Sequence, residues 1–227
     1  MRSWFSSSRK ANNIPVSSVK EVDMGLVLVF DVDGTLGPVD GEPYKDPIPI
    51  NPKMLEVIRE ALVARGKGPD KRTVDALFIL SNNSDTGYMR RIEARIQELL
   101  GLSEPIFDDI MARGDFRRDI HYEDFYLEEG LPVHNPRKSL ADVATMIESI
   151  NARSGFFKRK KISLRNLAKR IYFFDDLDDH VIREEIHNTH YIHINPSYTG
   201  SQRYKDSTKY YSLMSEIRVK RRVTRKL

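Results

Sequence analysis

Acidic side chains stand at the end of an apolar run twice in this chain. Leu26-Val27-Leu28-Val29-Phe30 leads straight into Asp31-Val32-Asp33-Gly34-Thr35. Ile171-Tyr172-Phe173-Phe174 leads into Asp175-Asp176-Leu177-Asp178-Asp179. Asp31 and Asp33 flank a single residue, so an extended backbone points both carboxylates the same way. Carboxylates this close repel unless a cation or a shared proton relieves them. The same demand holds for the four aspartates at 175–179. Gly34 lets the backbone turn sharply or approach a ligand closely. A third apolar run, Ala76-Leu77-Phe78-Ile79-Leu80, ends in Ser81-Asn82-Asn83-Ser84. Each feature has a plainer reading by itself. Asp33-Gly34 is a common turn pair, Ser81 a cap or loop residue, Lys138 a solvated charge, and Asp178 or Asp179 a helix N-cap. Their joint placement at strand ends favours chemistry. The histidines, among them His134, His180, His187, His190 and His193, show no metal-ligand spacing.

The three apolar runs read as strands buried on both faces, as in a parallel sheet covered by helices. In such a sheet the strand ends share one edge, where open α/β sheets place their ligands. Helical patterns alternate with the strands. Asn51-Pro52 is an N-cap followed by a first-turn proline, with Leu55, Ile58 and Leu62 as the apolar stripe. Asp85 or Thr86 opens the next helix, with stripe Met89, Ile92, Ile96 and Leu99 and a stop at Gly101. Residues 105–112 predict a third strand or an edge segment. Ser139 to Asp142 forms a capping-box pattern ahead of a helix through Leu140, Val143, Ile147 and Ile150. A helix through Val181, Ile182 and Ile186 and a strand at Tyr191-Ile192-His193-Ile194 close the pattern. The alternation predicts an α/β domain with a parallel sheet. Residues 36–50, rich in proline and glycine, predict a turn-rich flap. Residues 113–134 carry aromatics and both charge signs and match no element.

At 227 residues the chain suits one domain, with length enough to bury a core. It has no cysteine, which excludes disulfides, thiol nucleophiles and cysteine-based zinc sites and fits a reducing compartment. No apolar run approaches the ~18 residues of a membrane span, and no secretory signal pattern stands at the N-terminus. The expected location is intracellular, cytoplasmic or nuclear. The net charge of +4 hides an asymmetry. Residues 1–20 carry +4 and residues 218–227 carry +6, which leaves −6 for 21–217. The expected organisation is a flexible basic tail at 1–24, a domain at 25–205 and a basic tail at 206–227. The tails would carry any electrostatic attraction to nucleic acid or an acidic partner. The acid-free, serine-bearing N-terminus also permits an organelle transit peptide. Residues 149–174 hold eight Lys/Arg and no acid, and the run at 158–170 within them suits a solvated helix face better than a substrate site.

The stretch Leu26 to Thr35 resembles motif I of the haloacid dehalogenase (HAD) superfamily, hhhhDxDGT. Ser81 stands where motif II places its Ser/Thr, Lys138 stands before a helix as the motif III lysine does, and Asp175-Asp176 resembles the acidic motif IV. The order and spacing cover about residues 26–195. The resemblance implies a Rossmann-like three-layer sandwich and a Mg2+-dependent phosphatase. It makes Asp31 the nucleophile that takes up a phosphoryl group and Asp33 the general acid/base. Mg2+ would be held by Asp31, the backbone carbonyl of Asp33 and Asp175, with Asp176 or Asp179 as the second motif IV acid. Ser81 and the backbone N–H of Asn82 would hold phosphoryl oxygens, and Lys138 would stabilise charge in the transition state.

The gaps between these motifs, 36–75 and 85–137, are short for a full cap domain. That resembles the capless HAD branch, whose open sites admit macromolecules such as phosphoproteins or nucleic-acid ends. The Gly34-Thr35-Leu36 continuation departs from the bulkier DxDxT pattern of the phosphatases that act on the RNA polymerase II tail. Alternatives are a catalytically weak HAD-fold protein that binds nucleic acid through its tails, and a small-molecule phosphatase of nucleotide type.

Overall fold

Five strands make one sheet in which every neighbouring pair is parallel: β1 (Leu26–Phe30), β2 (Val74–Leu80), β3 (Asp109–Met111), β4 (Ile171–Asp175) and β5 (Tyr191–His193). The computed structural model describes residues 24–38, 46–65, 73–112, 138–154, 164–177, 180–194 and 207–223. The spatial order is β3-β2-β1-β4-β5, so β1 is central and the chain passes outward on one side before crossing to the other. The helices are α1 (Pro52–Arg65), α2 (Thr86–Leu100), α3 (Leu140–Ser154), α4 (Leu164–Leu167), α5 (Ile182–Glu185) and α6 (Ser207–Val223).

Successive residues of a strand point to opposite faces of a sheet, and β1 shows both faces covered. Leu26, Leu28 and Phe30 join a core with residues of α1, α2 and α6. Val27 and Val29 join a second core with residues of α3, α4 and α5. All five residues of β1 and all seven of β2 are buried. That is why β1 reads as an unbroken apolar run and β2 as one from Ala76 onward, with the buried Asp75 before it accepting from the Gly25 N–H at 2.6 Å. The result is the expected three-layer α/β sandwich. No helix among the described residues is long and apolar enough to cross a membrane.

The helix caps follow the sequence chemistry. Asn51 accepts from the Lys53 N–H at 3.0 Å. Asp85, not Thr86, caps α2 by accepting from the Tyr88 N–H at 2.8 Å. Gly101 ends α2 at φ 66°, the left-handed conformation that favours glycine. The Asp142 carboxylate accepts from both the backbone N–H and the hydroxyl of Ser139 at 2.8 Å.

Three expectations shift. On α1 the buried face is Met54, Val57, Ile58, Ala61 and Ala64, while Leu55 and Leu62 lie at its margin. On α2 Leu99 is 41% exposed, and the interior position goes to Glu93. The buried Glu93 accepts from the N–H groups of Ile106 and Phe107, both at 3.0 Å, and so satisfies two donors ahead of β3. The largest change is at the C-terminus, expected as a basic tail from 206. Residues 207–223 are helical, and Tyr210, Leu213, Met214 and Ile217 lie in the core beside α1. Their 3-4 spacing is an amphipathic stripe, masked in the sequence by the cationic run that follows. The N-terminal tail to residue 23, flap residues 39–45, residues 113–137, the basic run at 155–163, and Asp178 with Asp179 lie outside the described residues.

Candidate active site

The register of the sheet assembles the site. Phe30 pairs with Ile79 on one side and Phe174 on the other. Asp31 is therefore level with the ends of β2 and β4, between Ser81 and Asp175. The Asp31 N–H donates to the Phe174 carbonyl at 2.9 Å, and the Ser81 N–H donates to the Met111 carbonyl at 3.1 Å. These backbone bonds fix where each strand end stops.

Lys138 enters from the start of α3. Its Nζ donates to Asp31 Oδ1 and to Asp175 Oδ2, both at 2.6 Å. All three side chains are buried, and Lys138 is 1% exposed. Such a buried ionic group is held only by close geometry, because the loss of water around each charge is expensive. Burial alone would lower the lysine pKa, yet Asp175 and Asp31 outweigh it and raise it. Asp31 is raised, because burial outweighs the attraction of Lys138 and Asp175 adds repulsion. Asp175 is lowered despite its burial, chiefly by Lys138 and then by His180.

Asp176 completes a cluster. Carboxylate oxygens of Asp31, Asp175 and Asp176 lie within 4.8 Å of one another. Gly34 makes this possible. Its φ is +71°, and a Cβ there would meet Asp176 Oδ2 at 2.4 Å. Asp176 is pushed up to about 7, first by burial and then by the charges of Asp31 and Asp175. Among the described residues Lys138 is the ammonium that faces these three acids.

Asp33 stands apart from this cluster. Its Oδ2 accepts from Asn83 Nδ2 at 2.9 Å, which ties the β1 loop to the β2 loop. Ser81 is 1% exposed, and its hydroxyl oxygen accepts from the Asn83 N–H at 3.2 Å. Both amide atoms of Asn82 are buried with no hydrogen-bond partner among the described residues. The same holds for the Thr35 hydroxyl. Two contributors were not singled out from sequence. Asn83 is the second asparagine of the 81–84 loop. His180, set aside for lack of metal spacing, lies with Nε2 3.3 Å from Asp175 Oδ2.

No protein-family model and no curated protein matches the chain. A solved structure from Mesorhizobium loti, provisionally described as a HAD-like phosphatase, superposes with a TM-score of 0.44 at 16% identity. The match covers 87% of this chain and 88% of that one. At that similarity no functional conclusion transfers, and the chemistry rests on the residues themselves.

The donor set fits a hard divalent cation. Asp31, Asp175 and Asp176 offer three carboxylate oxygens close together, the ligand type that Mg2+ prefers. Burial, and after it the charges of Asp31 and Asp175, push Asp176 up, and a cation bound there would favour its ionised form.

Proposed function

We propose that the chain is a Mg2+-dependent phosphomonoesterase of HAD type that works through an aspartyl-phosphate on Asp31. The single observation that carries the reading is the convergence of Asp31, Asp175, Asp176 and Lys138 at the carboxyl edge of a parallel sheet. Asp31, Asp175 and Asp176 would hold the cation, which supplies charge neutralisation when bound. The chain's own residues do the rest. An Asp31 carboxylate oxygen attacks phosphorus and the ester oxygen leaves. Asp33, held at the rim by Asn83, protonates that leaving oxygen and then deprotonates the water that cleaves the aspartyl-phosphate. Lys138 holds Asp31 in one orientation and offsets the charge that gathers on the phosphoryl group. Ser81 and the backbone N–H of Asn82, on the opposite flank from Asp175, hold phosphoryl oxygens.

The substrate reading follows from what lies around the edge. The gap at 36–75 is short for a cap domain of the usual size, and its described residues include α1 (Pro52–Arg65). Together with the basic ends at 1–20 and 218–227, this favours a phosphorylated macromolecule, a phosphoprotein or a nucleic-acid end, over a small metabolite. An intracellular location, cytoplasmic or nuclear, suits such a substrate and the cysteine-free sequence.

Asp31→Asn tests the chemistry. The variant should stay folded, since an amide fits the same space, and should lose at least ~10³-fold in kcat on an aryl phosphate with Mg2+. Full activity in that variant would overturn the mechanism. A panel of phosphopeptides, 3′- and 5′-phosphorylated oligonucleotides and nucleotides ranks the substrate classes. Inactivity on all of them, with nucleic-acid binding that needs the basic ends, would favour a binding protein built on the same fold.

A further inference from the structure

We infer that His180 is a positioning residue that holds the backbone of Lys138 and the carboxylate of Asp175 in one arrangement. A lysine side chain has four rotatable bonds and gives up rotamer freedom to be held still. Its Nζ can stay between Asp31 and Asp175 only if its backbone is anchored. Among the described residues, the backbone hydrogen bonds of Lys138 go to one short segment, 180–182. The Lys138 N–H donates to His180 Nδ1 at 3.4 Å, and the Lys138 carbonyl accepts from the Ile182 N–H at 3.0 Å.

The ring's other edge meets the same ion pair. With Nδ1 accepting, the hydrogen of a neutral imidazole sits on Nε2. Nε2 lies 3.3 Å from Asp175 Oδ2, the oxygen that also accepts from Lys138 Nζ. The alignment falls short of a hydrogen bond, so this is an electrostatic contact between an N–H dipole and a carboxylate. His180 is 4% exposed, and its ring meets Phe173 edge-on, with centroids 6.4 Å apart at 73°. Lys138 Nζ lies 5.6 Å from the same Phe173 ring. His180, Lys138 and Asp175 therefore close a ring of contacts on a shared aromatic floor. An apolar side chain could fill the space, but it could neither accept from Lys138 nor face Asp175 with a donor.

The activity arm of the test rests on the phosphomonoesterase reading; the spectroscopic arm does not. His180→Leu keeps the volume, and His180→Asn keeps an acceptor near the position of Nδ1. His180→Leu should lower kcat on an aryl phosphate by ~10- to 100-fold with KM changed less than ~3-fold, and His180→Asn should regain at least half of that loss on a logarithmic scale. In the same variants, exchange of the Lys138 amide proton should be ~10-fold faster in His180→Leu than in His180→Asn. In the wild type, long-range ¹H–¹⁵N spectra should show the Nε2–H tautomer. Leucine matching or surpassing asparagine would overturn the inference, because a merely structural role predicts that order. An Nδ1–H ring, or equal Lys138 exchange in both variants, would overturn it too. If the wild type hydrolyses no phosphate ester, the phosphatase reading fails while exchange and tautomer still decide the role of His180.

Discussion

Gly34 carries no chemical group, yet the carboxylate cluster depends on it. Its left-handed φ already disfavours any side chain, at roughly 1–2 kcal/mol. A Cβ at this position would also come within 2.4 Å of Asp176 Oδ2 and 2.6 Å of its Cγ, so the Asp176 side chain would have to shift. Gly34→Ala should therefore destabilise the protein by about 2 kcal/mol or more and displace Asp176. Urea denaturation measures the first effect. The second shows in a double-mutant cycle: Asp176→Ala should lessen the cost of Gly34→Ala by at least ~0.5 kcal/mol, because the two residues touch. Additive costs would mean that the contact does not matter. At this scale much of the candidate site was legible. Asp31, Ser81, Lys138 and the Asp175-Asp176 pair stood out by type and position. The hydrogen bond from Asn83 to Asp33 did not, because a contact between two loops depends on how the strands that carry them are paired.

The sixth helix and the strand beneath it show what an element adds. Leu213 is fully buried in the core beside α1. Leu213→Ala should cost about 2–5 kcal/mol, as large-to-small core substitutions do, and thermal or urea unfolding measures it. A surface tail would give almost no change. The adjoining cluster predicts a pH effect. His190 stacks on Tyr172 with ring centroids 4.2 Å apart. Tyr172 donates its hydroxyl to Glu216 of α6 at 3.1 Å. Burial lowers the His190 pKa, and nearby His187 and Arg170 lower it further, while Glu216 and a backbone bond to Ile171 oppose them. A base whose pKa is lowered on folding binds its proton less readily in the native state than in the unfolded one. Its contribution is whole above the ordinary value of 6.5 and is lost as pH falls below it. The urea midpoint of the wild type should accordingly drop faster between pH 7 and pH 5 than that of His190→Asn. Parallel profiles would remove His190 from the account.

For the molecule as a whole, charge is divided between an acidic middle and basic ends. Residues 218–227 carry six positive charges and no acid. Replacing these six Lys and Arg with Gln removes the charge while keeping the length of α6 (Ser207–Val223). If the basic end attracts nucleic acid, as proposed, the variant should bind it more weakly and with less dependence on salt. If all six charges contact phosphate on duplex DNA, the log–log salt slope falls by about 5. An unchanged slope would place the attraction elsewhere. Truncation before residue 207 is a different experiment, because it removes Tyr210, Leu213, Met214 and Ile217 from the core, and it should lower the melting temperature sharply.

Short-range information in the sequence determined the strands, the caps and the chemical types of the site. Apolar runs bounded by Asp and Ser state their own burial, and carboxylates one residue apart state their own repulsion. Tertiary structure alone decided three things. Lys138 and Asp31 are 107 positions apart, and only the parallel register brings the ammonium within 2.6 Å of the carboxylate. The buried face of α1 and the inclusion of α6 in the core depend on each other, since neither helix has a fixed inside until the other packs on it. His180 has no motif at all. Its meaning comes from a backbone N–H and a carboxylate on two other elements, which meet the imidazole only after the chain has folded.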